Sequence, residues 1–306
     1  MFSRKNKLLL YKLLSLFSVV RGYNILMIVL AQYLASIYIL APDWPLRKVV
    51  LDINLFLIVT ASALVIASGY IINNFYDAEK DLINKPTKSM LDRLVSQRFK
   101  LTTYFILNFL AVIAASYISF RAVFFFAAYV FGIWLYSHKL KRLAFLGNLV
   151  SAVLSIAPFF VVFIYYRNFE TVIFFHALYL FFLILARELV KDLENIAGDM
   201  AQGYLTLPVL YGTKISKGLI FVLISLTLIP TYLLISVFDV GNMYIYFIAA
   251  GVLLIAFLFL LFKSHIKKHF VWLHNILKFI IISGVFGILL IDVDLVLNRI
   301  LLWKTF

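Results

Sequence analysis

The sequence predicts an all-α integral membrane protein: about nine transmembrane helices around a central cavity, with a polar cap on the cytoplasmic side. Three observations predict it. The 306 residues are 64% hydrophobic and only 14% charged, whereas a soluble domain of this size needs more charge to cover its surface. The apolar residues come in blocks long enough to cross a bilayer as helices, about 20 residues each. The basic residues favour alternate segments between those blocks.

Nine blocks are read, at about 16–40, 52–73, 101–118, 121–137, 144–166, 171–188, 217–237, 243–262 and 272–295. Two are short, so eight is the alternative count. Helices satisfy their own backbone polar groups in lipid, which selects them over strands. The first block is too long for a signal peptide and lacks a clear small-residue cleavage site, so it is read as a retained first helix. No polar stretch is long enough for a soluble domain, and residues 1–306 are read as one domain. Trp44, Trp272 and Trp303 fall at block ends, as an aromatic belt requires.

With the N-terminus in the cytoplasm, cytoplasmic segments hold 20 of the 28 Lys and Arg: Arg4 to Lys12, Lys80 to Lys100, Lys139 to Arg142, Arg187 to Lys217, and Lys263 to Lys268. Outer segments hold six, and Arg21 and Lys278 lie within spans. That bias is the positive-inside signature of an inner or plasma membrane protein. The net charge of +14 therefore reads as topology and attraction to membrane lipid rather than to nucleic acid. There is no cysteine, which excludes thiolate chemistry, disulfides and iron–sulfur clusters.

The acids are placed oddly. Eight of the 14 Asp and Glu sit in two cytoplasmic segments: Asp77, Glu79, Asp81 and Asp92 after the second block, and Glu188, Asp192, Glu194 and Asp199 after the sixth. Clustered carboxylates repel and each buried one is costly; a bound cation offsets both. Asn73, Asp77 and Asp81 recur every four residues and stack on one helical face, with Asn74 beside it. Asp192, Asn195 and Asp199 have spacings of three and four. These are hard oxygen ligands without His or Cys, a set that suits magnesium together with phosphate oxygens. Both segments read N-x-x-x-D, then a Pro about nine residues on, which suggests an internal duplication of helices 1–4 and 5–8. Lys80, Lys85, Lys88, Lys141, Arg142, Arg187 and Lys191 accompany the acids, as a multiply charged phosphate would require.

Together, "NNFYDAEKD", "KDLENIAGDMAQGYLTLP" and the loop "LYSHKLKRLAFLGN" resemble the motifs of the UbiA-type intramembrane prenyltransferases. The first resembles N-D-x-x-D-x-x-x-D and the second K-D-x-x-D-x-x-G-D followed by T-L-P, after helices two and six as in that superfamily. "RGYN" and "INKP" resemble the branch that contains archaeal digeranylgeranylglyceryl phosphate synthase. Three positions depart: Asn74 and Asn195 stand where the motifs usually carry Asp, and "KPTKSM" replaces R-P-x-R-P-I.

The resemblance implies magnesium-dependent transfer from an isoprenyl diphosphate donor to a lipophilic acceptor. Asn73, Asn74, Asp77 and Asp81 would serve one magnesium ion and Asp192, Asn195 and Asp199 a second, with Asp77, Asp81 and Asp199 central to catalysis. Lys88, Lys141, Arg187 and Lys191 would meet the diphosphate. Arg21, Asn24 and Tyr136 would bind the acceptor or the donor head. A glycerol-phosphate ether lipid precursor, a quinone-ring precursor and a porphyrin are the acceptors considered, in that order.

Blander readings stand beside these. In one, the acids only neutralise Lys80, Lys85, Arg187 and Lys191 on a solvated face. His265 and His269 have zinc-like spacing but sit among Lys263, Lys267 and Lys268, and His176 reads as an interior residue. Asp292 and Asp294 read as interfacial. Functional rivals are a cation-coupled transporter, which needs acids at mid-span, and an isoprenoid-binding protein of weak catalysis.

Overall fold

A computed structural model describes residues 15–293. Arg4 to Lys12, Asp294, Arg299, Trp303 and Lys304 lie outside the described residues. Helix α1 (Gly22–Ala35) continues as a π-helical turn over Ser36–Leu40. A short α2 (Leu46–Val50) leads to α3 (Ile53–Tyr76), followed by the short α4 (Ala78–Asn84) and α5 (Pro86–Asp92). Then come α6 (Gln97–Ser116), α7 (Phe120–His138) with a 3-10 turn at Leu140–Arg142, α8 (Leu146–Tyr166) and α9 (Thr171–Ala201). The remainder is α10 (Leu207–Leu226), α11 (Leu228–Ser236), α12 (Tyr244–Lys263) and α13 (Lys267–Gly287).

Among the described residues nine helical segments are long and apolar enough to span a membrane, and α10 with α11 counts as one of them. Each sequence block has its helix, but the edges move. α9 runs on past the expected end at 188 to Ala201, so the second motif rides on a continuous helix rather than on a loop. Hydropathy stops at its charges, whereas Leu, Glu, Ala and Lys are all good helix formers. α10 begins at Leu207, ten residues before the apolar block, and breaks at Gly212, whose φ of 81° suits a residue without Cβ.

The helix starts follow from caps. Asp52 accepts from Asn54 N at 2.9 Å and Leu55 N at 3.4 Å, and Ser96 and Ser119 cap α6 and α7 in the same way. One apolar core joins α1, α3, α6, α7 and α8; a second joins α9 to α10, α12 and α13. Between them lies a cavity of ≈ 770 Å³ lined by residues such as Ile66, Ile133, Leu154, Phe159, Leu180 and Leu183.

Several polar groups inside the bundle are paired across helices. Pro158 interrupts α8 and has no N–H for the carbonyl of Leu154 four residues back. The Tyr129 hydroxyl donates to that carbonyl instead, at 3.0 Å. Gln32 donates to Pro158 O at 2.7 Å, tying α1 to the same kink. Tyr129→Phe should therefore lower stability by about 0.5–2 kcal/mol, read as a lower midpoint in detergent melts; an unchanged midpoint would remove Tyr129 from this role.

Candidate functional site

Three spans end together. The last turn of α3 presents Asn73, and the helix breaks at Asp77 (φ −90°, ψ 2°) before α4 departs. The turn after α7 delivers Lys141. It can lie against α8 because Gly147 is bare: a Cβ there would come within 2.8 Å of Leu140 O. α9 brings Asp192, Asn195 and Asp199 on one face. Together with Lys80, Tyr136, Lys191 and Thr206 these residues line one hollow of ≈ 30 Å³.

Its centre is a set of charge pairs. Asp77 Oδ1 accepts from Lys141 Nζ at 2.7 Å and from the Tyr204 hydroxyl at 3.3 Å. Lys141 also donates to Asn73 Oδ1 at 3.2 Å. Lys80 Nζ lies 3.4 Å from Asp77 Oδ1 and 3.3 Å from Asp199 Oδ1, so one ammonium spans both motifs. Thr206 Oγ1 donates to Asp199 Oδ2 at 3.3 Å, and Asn148 Nδ2 to Asp192 Oδ2 at 2.7 Å.

Burial would raise the Asp77 carboxyl, but Lys141 and Lys80 outweigh it and hold it at about 2. Burial likewise opposes the charge of Lys80, and Asp77 and Asp199 more than restore it, leaving the ammonium above its ordinary value. Tyr204 is pushed up to about 12 by burial and by Asp77, so it stays a donor. Lys85 and Lys88 are lowered, chiefly by burial.

A latch holds the motifs together. The buried Asn84 at the end of α4 donates to Asn195 O at 3.3 Å and accepts from Gly198 N at 3.1 Å. A Cβ at Gly198 would overlap the Asn84 amide, so the close approach requires glycine there. On the α9 side, Asn195 Oδ1 and Asp199 Oδ1 are buried without a hydrogen-bond partner. Two hard oxygens at the hollow, one without a partner and one met only by the Lys80 ammonium at 3.3 Å, fit a divalent cation.

The hollow and the large cavity share Asn73, Tyr136 and Lys191 as lining residues. A charged chamber thus adjoins an apolar one, as an amphiphile with an anionic head would need.

Residues 29–279 match the UbiA prenyltransferase family. The chain belongs to that family.

Among its curated relatives, digeranylgeranylglyceryl phosphate synthase of Methanobrevibacter smithii is 29% identical over 79% of this chain and 84% of its own. The enzyme of that name from Sulfurisphaera tokodaii is 28% identical over 71% and 78%. A solved structure from work on digeranylgeranylglyceryl phosphate synthase in membranes superposes with a TM-score of 0.67 at 24% identity, covering 92% of this chain and 98% of that one. A UbiA homologue from Archaeoglobus fulgidus bound to GPP and Mg2+ gives 0.65 at 14% identity, over 90% and 99%. The fold is that of the UbiA homologues.

Of the residues singled out in the sequence of this UbiA member, Asn73, Asp77, Tyr136, Lys141, Lys191, Asp192, Asn195 and Asp199 line the hollow. Arg21, Asn24, Lys88 and Arg187 line the larger cavity instead. Glu188 holds both Arg187, at 3.0 Å, and Lys191, at 2.8 Å, so Lys191 pairs with Glu188 and not with its neighbour Asp192.

Two residues are brought to neither chamber. Asp81 lies past the break at Asp77 and lines neither chamber; its charge acts on Lys85 and Lys88. Asn74 is turned aside by a structural network. Its Oδ1 accepts from the buried Lys100 at 2.8 Å, and its Nδ2 donates to Asp92 Oδ2 at 2.8 Å. Only an amide can do both; an Asp at 74 would set carboxylate against carboxylate.

Sequence reasoning treated Lys80 as a mere flank and gave no role to Asn84, Tyr204 and Lys278. Lys80 carried one usable signal, its place three residues after Asp77 on the same helical side. Asn74→Asp should lower the melting midpoint and leave divalent-metal affinity unraised; tighter metal binding would put residue 74 among the ligands after all.

Proposed function

We propose that this prenyltransferase moves an isoprenyl group from an isoprenyl diphosphate to a lipophilic acceptor carrying a phosphate headgroup. The observation that carries the reading is the pair of chambers joined at Asn73, Tyr136 and Lys191. The diphosphate would sit at the junction with its oxygens toward the charged hollow, and the isoprenoid tail in the ≈ 770 Å³ cavity, which is within the usual size range of ligand sites. The concentration of basic residues at that end supports placing it in the cytoplasm.

Magnesium fits this donor set. Asn73 and Asp77 offer one place for it, and Asp192, Asn195 and Asp199 another. When bound, the metal would neutralise charge on the leaving diphosphate. The ammoniums of Lys80, Lys141 and Lys191 face the same space and act on the same charge. The allylic C–O bond breaks with its electron pair going to diphosphate. An acceptor hydroxyl oxygen then forms the new C–O bond, and its proton passes to the released diphosphate. The apolar walls keep water from the allylic cation, and the Tyr136 ring at the junction offers it a π face.

The acceptor class rests on cations set apart from the hollow. Arg21 stands over the Tyr70 ring, 5.1 Å from its centroid. Lys278, well inside the span of α13, donates to the Tyr23 hydroxyl at 3.2 Å. Lys88 reaches Asp92 only at 3.9 Å. All three line the large cavity. Cations at membrane depth require anionic partners, and a phosphomonoester headgroup supplies one. The relatives named digeranylgeranylglyceryl phosphate synthase support an acceptor like geranylgeranylglyceryl phosphate over a quinone ring or a porphyrin.

Purified protein given labelled prenyl diphosphate, magnesium and acceptor should release pyrophosphate only when the acceptor is present. Asp77→Ala and Asp199→Ala should each lower that rate at least about 100-fold. Release by neither wild type nor variants with any acceptor would contradict the reading. Lys278→Met should raise KM for the phosphate-bearing acceptor about tenfold, the loss of one charge-assisted contact, and leave KM for the donor unchanged. Equal changes in both would remove Lys278 from the acceptor site.

A further inference from the structure

We propose that His274 is the catalytic base of the transfer: its imidazole takes the proton of the acceptor hydroxyl, and Glu194 holds the ring in the form that can do so. The proposal rests on the prenyl-transfer reading above and gives the route of the proton that ends on diphosphate.

The pair comes from two helices. Glu194 lies on α9, three residues past Lys191, on the neighbouring side and about 4.5 Å further along the axis. His274 lies on α13, which packs on α9. Its Nδ1 stands 3.1 Å from Glu194 Oε2. Both residues line the large cavity, and Lys191 beside them lines both chambers. The imidazole is thus about one helical turn from the junction where the allylic bond breaks.

Hydrogen bonding sets the ring. Lys85 Nζ lies 3.9 Å from Glu194 Oε1 and favours the ionised carboxylate. An ionised carboxylate only accepts, so in the neutral ring Nδ1 carries the hydrogen and Nε2 the lone pair. Among the described residues Nε2 has no hydrogen-bond partner, and the side chain keeps 22% of its surface open. The same carboxylate stabilises the imidazolium once the proton has arrived.

Other bases are committed or distant. Glu188 Oε1 is taken by Arg187 at 3.0 Å and its Oε2 by Lys191 at 2.8 Å. Asp192 faces the hollow and accepts from Asn148. His176 lines the cavity too, but it precedes Lys191 by four turns of α9, about 22 Å along the axis.

The acceptor's anchor agrees. Lys278 follows His274 by one turn on the same face of α13, about 5–6 Å away between Cβ atoms. With its phosphate on Lys278, an acceptor would bring a hydroxyl of the adjoining glycerol unit beside His274. As that oxygen gives a lone pair to the allylic carbon, its O–H bond breaks and the proton goes to Nε2. Diphosphate, which kept the electron pair of the broken C–O bond, then takes the proton from Nε2 and leaves the ring neutral.

An acceptor that needs no base tests this. The full chain in lipid nanodiscs is given labelled prenyl diphosphate, magnesium and either the phosphate-bearing acceptor or its analogue with a thiol in place of the hydroxyl. His274→Gln should lower kcat for the hydroxyl acceptor about 100-fold. It should leave kcat for the thiol within about twofold, because a thiol ionises unaided near neutral pH. Glu194→Gln keeps an acceptor for Nδ1 but not the charge, and should lower the hydroxyl rate about tenfold with the same selectivity. Equal losses with both acceptors would make the pair structural and overturn the proposal, as would an undiminished hydroxyl rate in His274→Gln. Should His274→Gln not fold, the hydroxyl-to-thiol ratio of Glu194→Gln decides in the same way. Wild type inactive with every acceptor would end the prenyl-transfer reading; an active wild type with unselective variants ends this proposal alone.

Discussion

Two carboxylates from different spans, Asp77 and Asp199, are buried at one end of a lipid-embedded bundle, and positive charge has to stand between them. Without it each would be desolvated beside a like charge, which a low-dielectric interior does not tolerate. The chain supplies that charge from three separate elements: Lys80 from α4, Lys141 from the turn after α7, and Lys191 from α9. Much of the local structure serves to hold them there. Gly147 admits the turn that carries Lys141, Gly198 admits the Asn84 latch, and Glu188 anchors Lys191.

The same constraint separates two kinds of chemistry. The hollow is small and charged, whereas the adjoining cavity is large and mostly apolar, with its own cations near α1 and α13. On the proposed reading an amphiphilic donor would span both, with the bond to be broken where they meet, beside Tyr136. A transporter reading needs acids near mid-span; Asp77 and Asp199 lie at helix ends, and the family assignment identifies a prenyltransferase.

Much of the architecture was legible in the sequence, because lipid leaves a chain few options. The nine blocks and the two motifs follow from hydropathy and spacing alone. Helix ends were less legible: α9 outruns its apolar block by thirteen residues to Ala201, since hydrogen bonding does not stop where charge begins. Facing was the harder problem. Fourfold spacing put Asn73, Asp77 and Asp81 on one stripe, but that holds only for an unbroken helix. The break at Asp77 sends Asp81 elsewhere, and Asn74 belongs to the Lys100–Asp92 network, which joins residues 26 and 18 positions away. Lys278 was seen only as a charge within a span and Asn84 only as part of the "INKP" run, and the roles of both stayed unread for a related reason. Their roles depend on which distant helix packs against them, and neither lies in an apolar block edge or in a pattern of acids.

The central claim is that the two motif-bearing helix ends grip one diphosphate while its hydrocarbon passes into the cavity between the two cores. The most direct measurement is an experimental structure with a prenyl thiolodiphosphate bound. The account requires both phosphorus atoms between Asp77, Lys141 and Asp199, and the chain running past Tyr136 toward Ile133 and Leu154. A diphosphate seated instead on Arg21 and Lys278, with its tail away from Tyr136, would contradict it.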